Sequence, residues 1–281
     1  MKRLRFTKME GAGNDFVVVD ATREAFDLRA SGIRRLADRH TGIGFDQLLV
    51  IEPARTQDTD FYYRVFNADG SEVSQCGNGA RCFVRYVHDN ALSNKQSIRV
   101  ETASGVIEPR LEANGEVTVD MAEPEFEPTD IPILVPRAEL TYTISVGDTD
   151  IEIGAVSMGN PHAVQVVFDI EAAPVISQGP MIENHAMFPD RANAGYMQIT
   201  DRHNIRLRVW ERGAGETLSC GTGACAAVVL GIRWGLLDSP VHVHTRGGEL
   251  QIAWQGEGGS VLMTGPARTV FEGEIDIPGG K

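Results

Sequence analysis

The chain has 281 residues, 42% of them hydrophobic, and carries 26 basic against 39 acidic side chains for a net charge of −13. That length suits one large domain or two of ordinary size, each with a real core. The acidic balance argues against non-specific nucleic-acid binding, which needs a positive surface. No apolar run approaches the roughly 18 residues of a membrane helix. The opening Met1-Lys2-Arg3-Leu4-Arg5-Phe6-Thr7 has no apolar signal-peptide core. A cytoplasmic protein is expected, and four cysteines in such a chain are not a disulfide framework.

In chain order, alternating or β-branched runs predict strands at Arg3–Thr7, Phe16–Asp20, Gln47–Ile51, Phe61–Phe66, Ser97–Thr102, Gly105–Leu111 and Glu116–Met121. A helix over Gly32–Arg39 is expected behind a Ser31 cap, and another over Gly77–His88. Four prolines (124, 128, 132 and 136) mark Ala122–Pro136 as a linker. Beyond it the pattern predicts strands at Thr141–Val146, Ile151–Val156, Ala163–Phe168, Tyr196–Thr200, Ile205–Val209, Val241–His244, Glu249–Trp254, Val261–Thr264 and Thr269–Glu272. The helix expected over Gly221–Trp234 is apolar almost all round, so it is buried, with sheets wrapped around it. The last strand is expected to return to the first domain. Domain boundaries follow at residues 1–121 plus 266–281, and 122–265.

One short motif occurs twice, as Gln75-Cys76-Gly77-Asn78-Gly79-Ala80 and as Ser219-Cys220-Gly221-Thr222-Gly223-Ala224. Aligning 64–82 with 208–226 gives seven identities in 19 positions, among them Arg64/Arg208, Glu72/Glu216 and Cys76/Cys220. Gly13-Asn14-Asp15-Phe16 echoes Gly159-Asn160-Pro161-His162 at nearly the same offset. A single period near 145 is too long for a solenoid and reads as two similar, duplicated domains.

Cys82 and Cys225 fall inside helices and read as small buried hydrophobes. Cys76 and Cys220 stand at strand-to-helix junctions, where a helix dipole and glycine-freed N–H groups favour an anion. Such a site lowers a thiol pKa toward neutrality and also holds a substrate carboxylate. Two such thiols, one per half, suit inversion of a stereocentre: one removes an α-proton and the other returns a proton from the opposite side. Donors on the carboxylate would stabilise the carbanion. A pyridoxal cofactor would need a lysine Schiff base. Of the four lysines, Lys2, Lys8, Lys95 and Lys281, two sit at the ends and none lies in a phosphate-binding context. Chemistry without a cofactor fits better. His242 and His244 share a strand face, but with no third ligand nearby no metal is expected.

The residues carrying these features resemble the diaminopimelate epimerase family. The resemblance spans Phe6 to about Phe271 and rests on Gly11-Ala12-Gly13-Asn14-Asp15-Phe16, Asn67-Ala68-Asp69-Gly70, Cys76-Gly77-Asn78-Gly79 with Arg81-Cys82, Gly159-Asn160-Pro161-His162, Trp210-Glu211-Arg212-Gly213 and Cys220-Gly221-Thr222-Gly223. It implies a cofactor-independent interconversion of LL- and meso-2,6-diaminopimelate, serving lysine and cell-wall precursor synthesis. It implies an α/β (α+β) fold of two pseudo-symmetric domains, each a curved, mostly antiparallel sheet around a central helix, and a homodimer. Cys76 would be the proton donor and Cys220 the acceptor in the LL-to-meso direction. The carboxylate at the reacting carbon would lie on the N–H groups of Gly77, Asn78, Gly221 and Thr222, and its amine would meet Glu211, Asn14 and Gln47. The distal end would be read by Asn67, Asn160, Asn193 and Arg212, with His162 in support. A guanidinium is the natural bidentate partner of such a carboxylate.

Three rival readings carry less. Gly221-Thr222-Gly223-Ala224-Cys225-Ala226 fits a dinucleotide fingerprint, but the first copy breaks it at Cys82. A redox thiol pair would need Cys76 and Cys220 to oxidise as a function rather than as damage. A proline-type epimerase has no use for Arg212 and three asparagines.

Overall fold

A computed structural model of the chain describes residues 2–73 and 77–277. Cys76, with Ser74 and Gln75, lies outside the described residues. The elements run β1 (Lys2–Gly11), β2 (Asn14–Asp20), α1 (Ala30–Ala37), β3 (Gln47–Pro53), β4 (Phe61–Asn67), β5 (Glu72–Val73), α2 (Gly77–Asp89), β6 (Val100–Thr102), β7 (Gly105–Ile107), β8 (Arg110–Leu111) and β9 (Val117–Asp120). They continue with β10 (Tyr142–Val146), β11 (Thr149–Ser157), β12 (Pro161–Val166), α3 (Val175–Glu183), β13 (Asn193–Asp201), β14 (Asn204–Glu211), β15 (Gly215–Thr217), α4 (Gly221–Arg233), β16 (Val241–Thr245), β17 (Gly248–Ala253), β18 (Leu262–Gly265) and β19 (Arg268–Ile277). Two compact units result: Met1–Val119 with Gly265–Lys281, and Asp120–Thr264.

In the first unit the strand order is β19-β1-β2-β3-β4-β6-β7, with β5 on β4. The second repeats this as β10-β11-β12-β13-β14-β16-β17, with β15 on β14, and the sheet then continues through β18, β9 and β8. The pairings match step for step. β2–β3 and β4–β6 are parallel, as are β12–β13 and β14–β16. The neighbouring pairs are antiparallel in both units. A parallel pair needs a crossover, which a helix usually supplies. Here α1 and α3 serve the first parallel pair of each unit, and α2 and α4 the second.

The core follows from the pleat. In β2 and β3 the residues Val17, Val19, Leu48 and Val50 join a cluster with Ile33, Leu36 and Ala37 of α1. Alternate residues Phe16, Val18, Leu49 and Ile51 turn to the other face, and α2 packs against β1, β2 and β3. Both faces are therefore covered, which is why these strands read as unbroken apolar runs. In the second unit, Val175 and Ile182 of α3 cluster with Ala163, Ala194 and Tyr196. There α4, buried from Gly223 to Gly231, packs against β11, β12, β13, β14 and β17.

The two-sheet α/β class matches the sequence reading, with differences of detail. Four parallel pairs interrupt the antiparallel pattern. Pro109 splits the run 105–111 into β7 and β8, and only 100–102 of 97–102 forms β6, since Ser97 makes a single bridge to Arg110. The cap of α1 is Arg29 with no side-chain hydrogen bond, rather than Ser31. Helix α3 was not expected at all.

The identities Arg64/Arg208 and Glu72/Glu216 acquire a purpose. Arg64 donates Nε and Nη2 to the two Glu72 oxygens at 2.7 and 2.8 Å, joining β4 to β5. Arg208 does the same to Glu216 at 2.7 and 3.0 Å, joining β14 to β15. Each fork braces the short strand that precedes a cysteine in the sequence.

Candidate active site

In each unit one polar side chain stands at the same end of three adjacent strands. In the first these are Asn14 on β2, Gln47 on β3 and Asn67 on β4, with Gln47 directly paired to Asn67 in register. In the second, Asn160 precedes β12, Asn193 opens β13 and Glu211 closes β14. Gly13 and Gly159, which precede the two asparagines, both hold φ at +82°, a left-handed turn that a side chain would strain.

In the first unit Gln47 Nε2 donates to Asn67 Oδ1 at 3.0 Å, and Asn67 Nδ2 donates to Ser71 Oγ at 3.2 Å. Asn14 donates to Asp46 at 2.8 Å and accepts from Asn78 Nδ2 at 3.4 Å. Asn78 is fixed in turn by the fully buried Arg81, whose Nη1 donates to its Oδ1 at 2.9 Å. Asp15, beside Asn14, takes a bidentate fork from Arg39 at 2.8 Å per bond. Burial opposes its ionisation, yet Arg39 and Lys8 hold its carboxyl well below the usual range. Gly77 and Asn78 are the first described residues of α2.

In the second unit Cys220 is the N-cap of α4, and its Sγ accepts from Gly223 N at 3.4 Å. Thr222 Oγ1 lies 3.5 Å from the same sulfur. Gly221 and Thr222, in the first turn, have N–H groups without an intrahelical acceptor. Glu211 accepts from Thr217 Oγ1 and sits against Cys220. The thiol departs from expectation here. Burial, and after it the Glu211 charge, push Cys220 well above its ordinary pKa; bonds from Thr222 and Gly223 only partly offset them. The helix terminus alone therefore does not make a thiolate.

Asn160, His162, Asn193 and Arg212 form one connected set. His162 Nε2 meets Asn160 Oδ1 at 3.0 Å and Asn193 Nδ2 at 3.4 Å. Asn193 Oδ1 accepts from Arg212 N at 2.8 Å, and Arg212 Nη1 donates to Asp190 O at 2.9 Å. His162 is fully buried, and its pKa is pushed down to about 3, by burial first and the Arg212 charge second. It stays neutral at physiological pH. The unfolded chain takes up its proton near pH 6.5, so stability falls as pH drops from there toward 3, by about 1.4 kcal/mol per pH unit for this one group. At the matching position of the first unit stands the buried Phe16. A His162→Phe variant should flatten that slope in acid unfolding curves; an unchanged slope would assign it to other groups.

Two contributors were not foreseen. Thr217, on β15, anchors Glu211. Glu183, at the end of α3, contacts the turn that carries Glu211 and Arg212. The repeat itself held the signal, since α1 shifted by 145 residues falls on α3. His242 and His244 both lean on Glu249, at 2.6 and 3.4 Å, on β16 and β17. Among the described residues no cluster of three or more His, Cys, Asp or Glu is arranged to hold a metal. The hairpin of β15 separates the end of β14 from Gly221, so the glycine-rich turn does not follow its strand as a dinucleotide turn would. No helix among the described residues is long and apolar enough to cross a membrane.

A family model described as diaminopimelate epimerase matches residues 6–127 and 154–270. A diaminopimelate epimerase of Aromatoleum aromaticum is 63% identical over 274 residues, covering 98% of this chain and 99% of its own. Among solved structures, a PhzF-family phenazine biosynthesis protein of Bacillus anthracis superposes with a TM-score of 0.71 at 19% identity, covering 99% of this chain and 100% of its own. A hydroxyproline epimerase of Agrobacterium vitis gives 0.71 at 14%, covering 97% and 92%. At such identities the superpositions speak for the fold alone.

Proposed function

This chain belongs to the diaminopimelate epimerase family, an enzyme family of amino-acid isomerases, and from that premise we propose that it interconverts LL- and meso-2,6-diaminopimelate with Cys76 and Cys220 as the two proton-transfer groups. The observation that carries the reading is Cys220 at the N-terminus of α4, with Gly223 N donating to its sulfur, the Thr222 hydroxyl in hydrogen-bond contact with it and Glu211 beside it. The reaction serves lysine and cell-wall precursor synthesis, in the cytoplasm, in a homodimer that uses no cofactor.

In the LL-to-meso direction the Cys220 thiolate takes the α-proton and the Cys76 thiol supplies one to the opposite face. The reverse direction swaps the roles. The carbanion spreads onto the α-carboxylate, which the helix N-termini at Gly77, Asn78, Gly221 and Thr222 stabilise. The substrate ammonium, placed against Glu211 with Asn14 and Gln47 nearby, neutralises the charge that disfavours a thiolate at Cys220. The bonds from Thr222 and Gly223 then lower its pKa in the complex. Arg212, Asn193, Asn160 and Asn67 address the distal amino-carboxylate, and neutral His162 holds Asn160 and Asn193 in place.

The test is solvent-deuterium exchange at the α-carbon of LL-diaminopimelate, followed by mass spectrometry. Incorporation together with appearance of the meso isomer is expected, and no incorporation removes the proposal. Because the resting Cys220 thiol is raised, kcat/KM for LL-diaminopimelate should still be climbing between pH 8 and 9. A plateau reached below pH 8 would contradict a thiol held up by burial and Glu211.

A further inference from the structure

We propose that Glu183 is a positioning residue: its carboxylate clamps both ends of the turn Trp210–Gly213, and so sets where Arg212 meets the distal end of the substrate. The inference rests on the diaminopimelate reading and extends it to a residue outside the binding set.

Glu183 is only 6% exposed. Its Oε2 accepts from Trp210 Nε1 at 2.7 Å and its Oε1 from Gly213 N at 2.9 Å. The two oxygens of one carboxylate thus bracket the pair Glu211-Arg212. Arg191 Nη1 completes the group at 3.0 Å from Oε1. The same residue also reaches the start of β13. Its backbone carbonyl accepts from Ala192 N at 3.2 Å, next to Asn193, whose Oδ1 holds Arg212 N at 2.8 Å. Arg191 carries a φ of +62°, left-handed for a non-glycine residue, so this segment takes a conformation its own chain does not favour. Packing fixes the base of the clamp. A Cβ on Gly179, one helical turn before Glu183, would stand 2.5 Å from Trp210 Cγ, so α3 lies directly on that ring.

Glu211 is anchored independently by Thr217. Loosening the clamp therefore disturbs Arg212 and recognition more than proton transfer beside Cys220. A Glu183→Gln change keeps the side chain's shape but sets an amide NH2 against an N–H donor and removes the charge facing Arg191. The expected result is a KM for LL-diaminopimelate raised about tenfold or more, with kcat changed less than about threefold. Glu183→Asp should recover part of the lost KM. Trp210→Phe deletes one donor and keeps the ring packing, so it should raise KM by a smaller factor; it carries the test if the Gln variant does not fold.

Steady-state kinetics of the three variants, with melting temperatures alongside, decide the matter. An unchanged KM in folded Gln and Phe variants, or losses confined to kcat, overturns the assignment. The wild-type enzyme measured in parallel separates the two claims. If it exchanges no α-proton of diaminopimelate, the functional reading fails. If it exchanges normally while the variants keep the parental KM, only the clamp fails.

Discussion

Cys220→Ala is expected to abolish epimerisation, lowering LL-to-meso turnover by about a thousandfold or more, the order of a lost acid–base group. Cys76→Ala should do the same, because inversion needs a proton delivered to the face opposite the one that lost it. The two variants should nevertheless differ in isotope exchange. With Cys220 intact, Cys76→Ala retains the group that removes the α-proton of the LL isomer. It should wash deuterium into LL-diaminopimelate without inverting it. Cys220→Ala should not. Gly223 N donates to the Cys220 sulfur and the Thr222 hydroxyl lies 3.5 Å from it, free to donate to a thiolate, so this thiolate has stabilising partners once the substrate ammonium offsets Glu211. Inversion that persists in either variant would end the two-thiol mechanism, and identical exchange patterns would end the assignment of faces.

The second large effect concerns stability. The Arg208–Glu216 fork is 8% exposed on each side, and Arg208 also donates to Ile170 O at 3.0 Å. Its repeat partner, Arg64–Glu72, has nearly the same bond lengths but is 26% and 38% exposed. Removing one member of a buried pair leaves an uncompensated charge, at about 3 kcal/mol or more. Removing one member of an exposed pair costs about 1 kcal/mol or less. Arg246, 2.9 Å from Glu216, softens the first figure without cancelling it. The three tryptophans, Trp210, Trp234 and Trp254, all lie in the second unit. Their fluorescence should report a urea midpoint lowered by about 1 M or more in Arg208→Ala. Arg64→Ala, followed by far-ultraviolet circular dichroism, which reports both units, should shift no transition by more than a few tenths of 1 M. Equal shifts would mean that burial does not separate the two copies.

Much of this molecule was readable before any coordinates. Helices α2 and α4 were legible because the Cys-Gly-x-Gly-Ala turn and the apolar runs behind it leave little else for the chain to form. Most strands were legible from unbroken apolar runs, since sheets covered on both faces need no alternation. Helix α3 was not, because Gly179 and Pro180 spoil its local signal and no cap announces it. Only the repeat, which puts it 145 residues after α1, points to it. Asn14, Asn67, Asn160, Glu211 and Arg212 lie in the duplicated turns, whereas Gln47 and Asn193 are reached only through the family resemblance. Glu183 and Thr217 were missed, because they act by contact with a turn and a strand end that sequence spacing does not display. The thiol pKa of Cys220 was misjudged for a similar reason. A helix N-terminus is visible in a motif, whereas the depth at which α4 buries it is not.

The pairing of β1 with β19 runs from Lys2 opposite Ile277 to Glu10 opposite Arg268, so the opening strand of the chain acquires its outer neighbour only from the closing one. The contiguous segment 120–264 needs no strand made after it and can fold as a unit once it has emerged. The segment made before it must wait, one edge of β1 open, until β19 is made. A chain cut before Arg268 would thus carry one lobe with all its strands and one lacking the strand beside β1. The earlier-made of the two is then the one in need of chaperone protection.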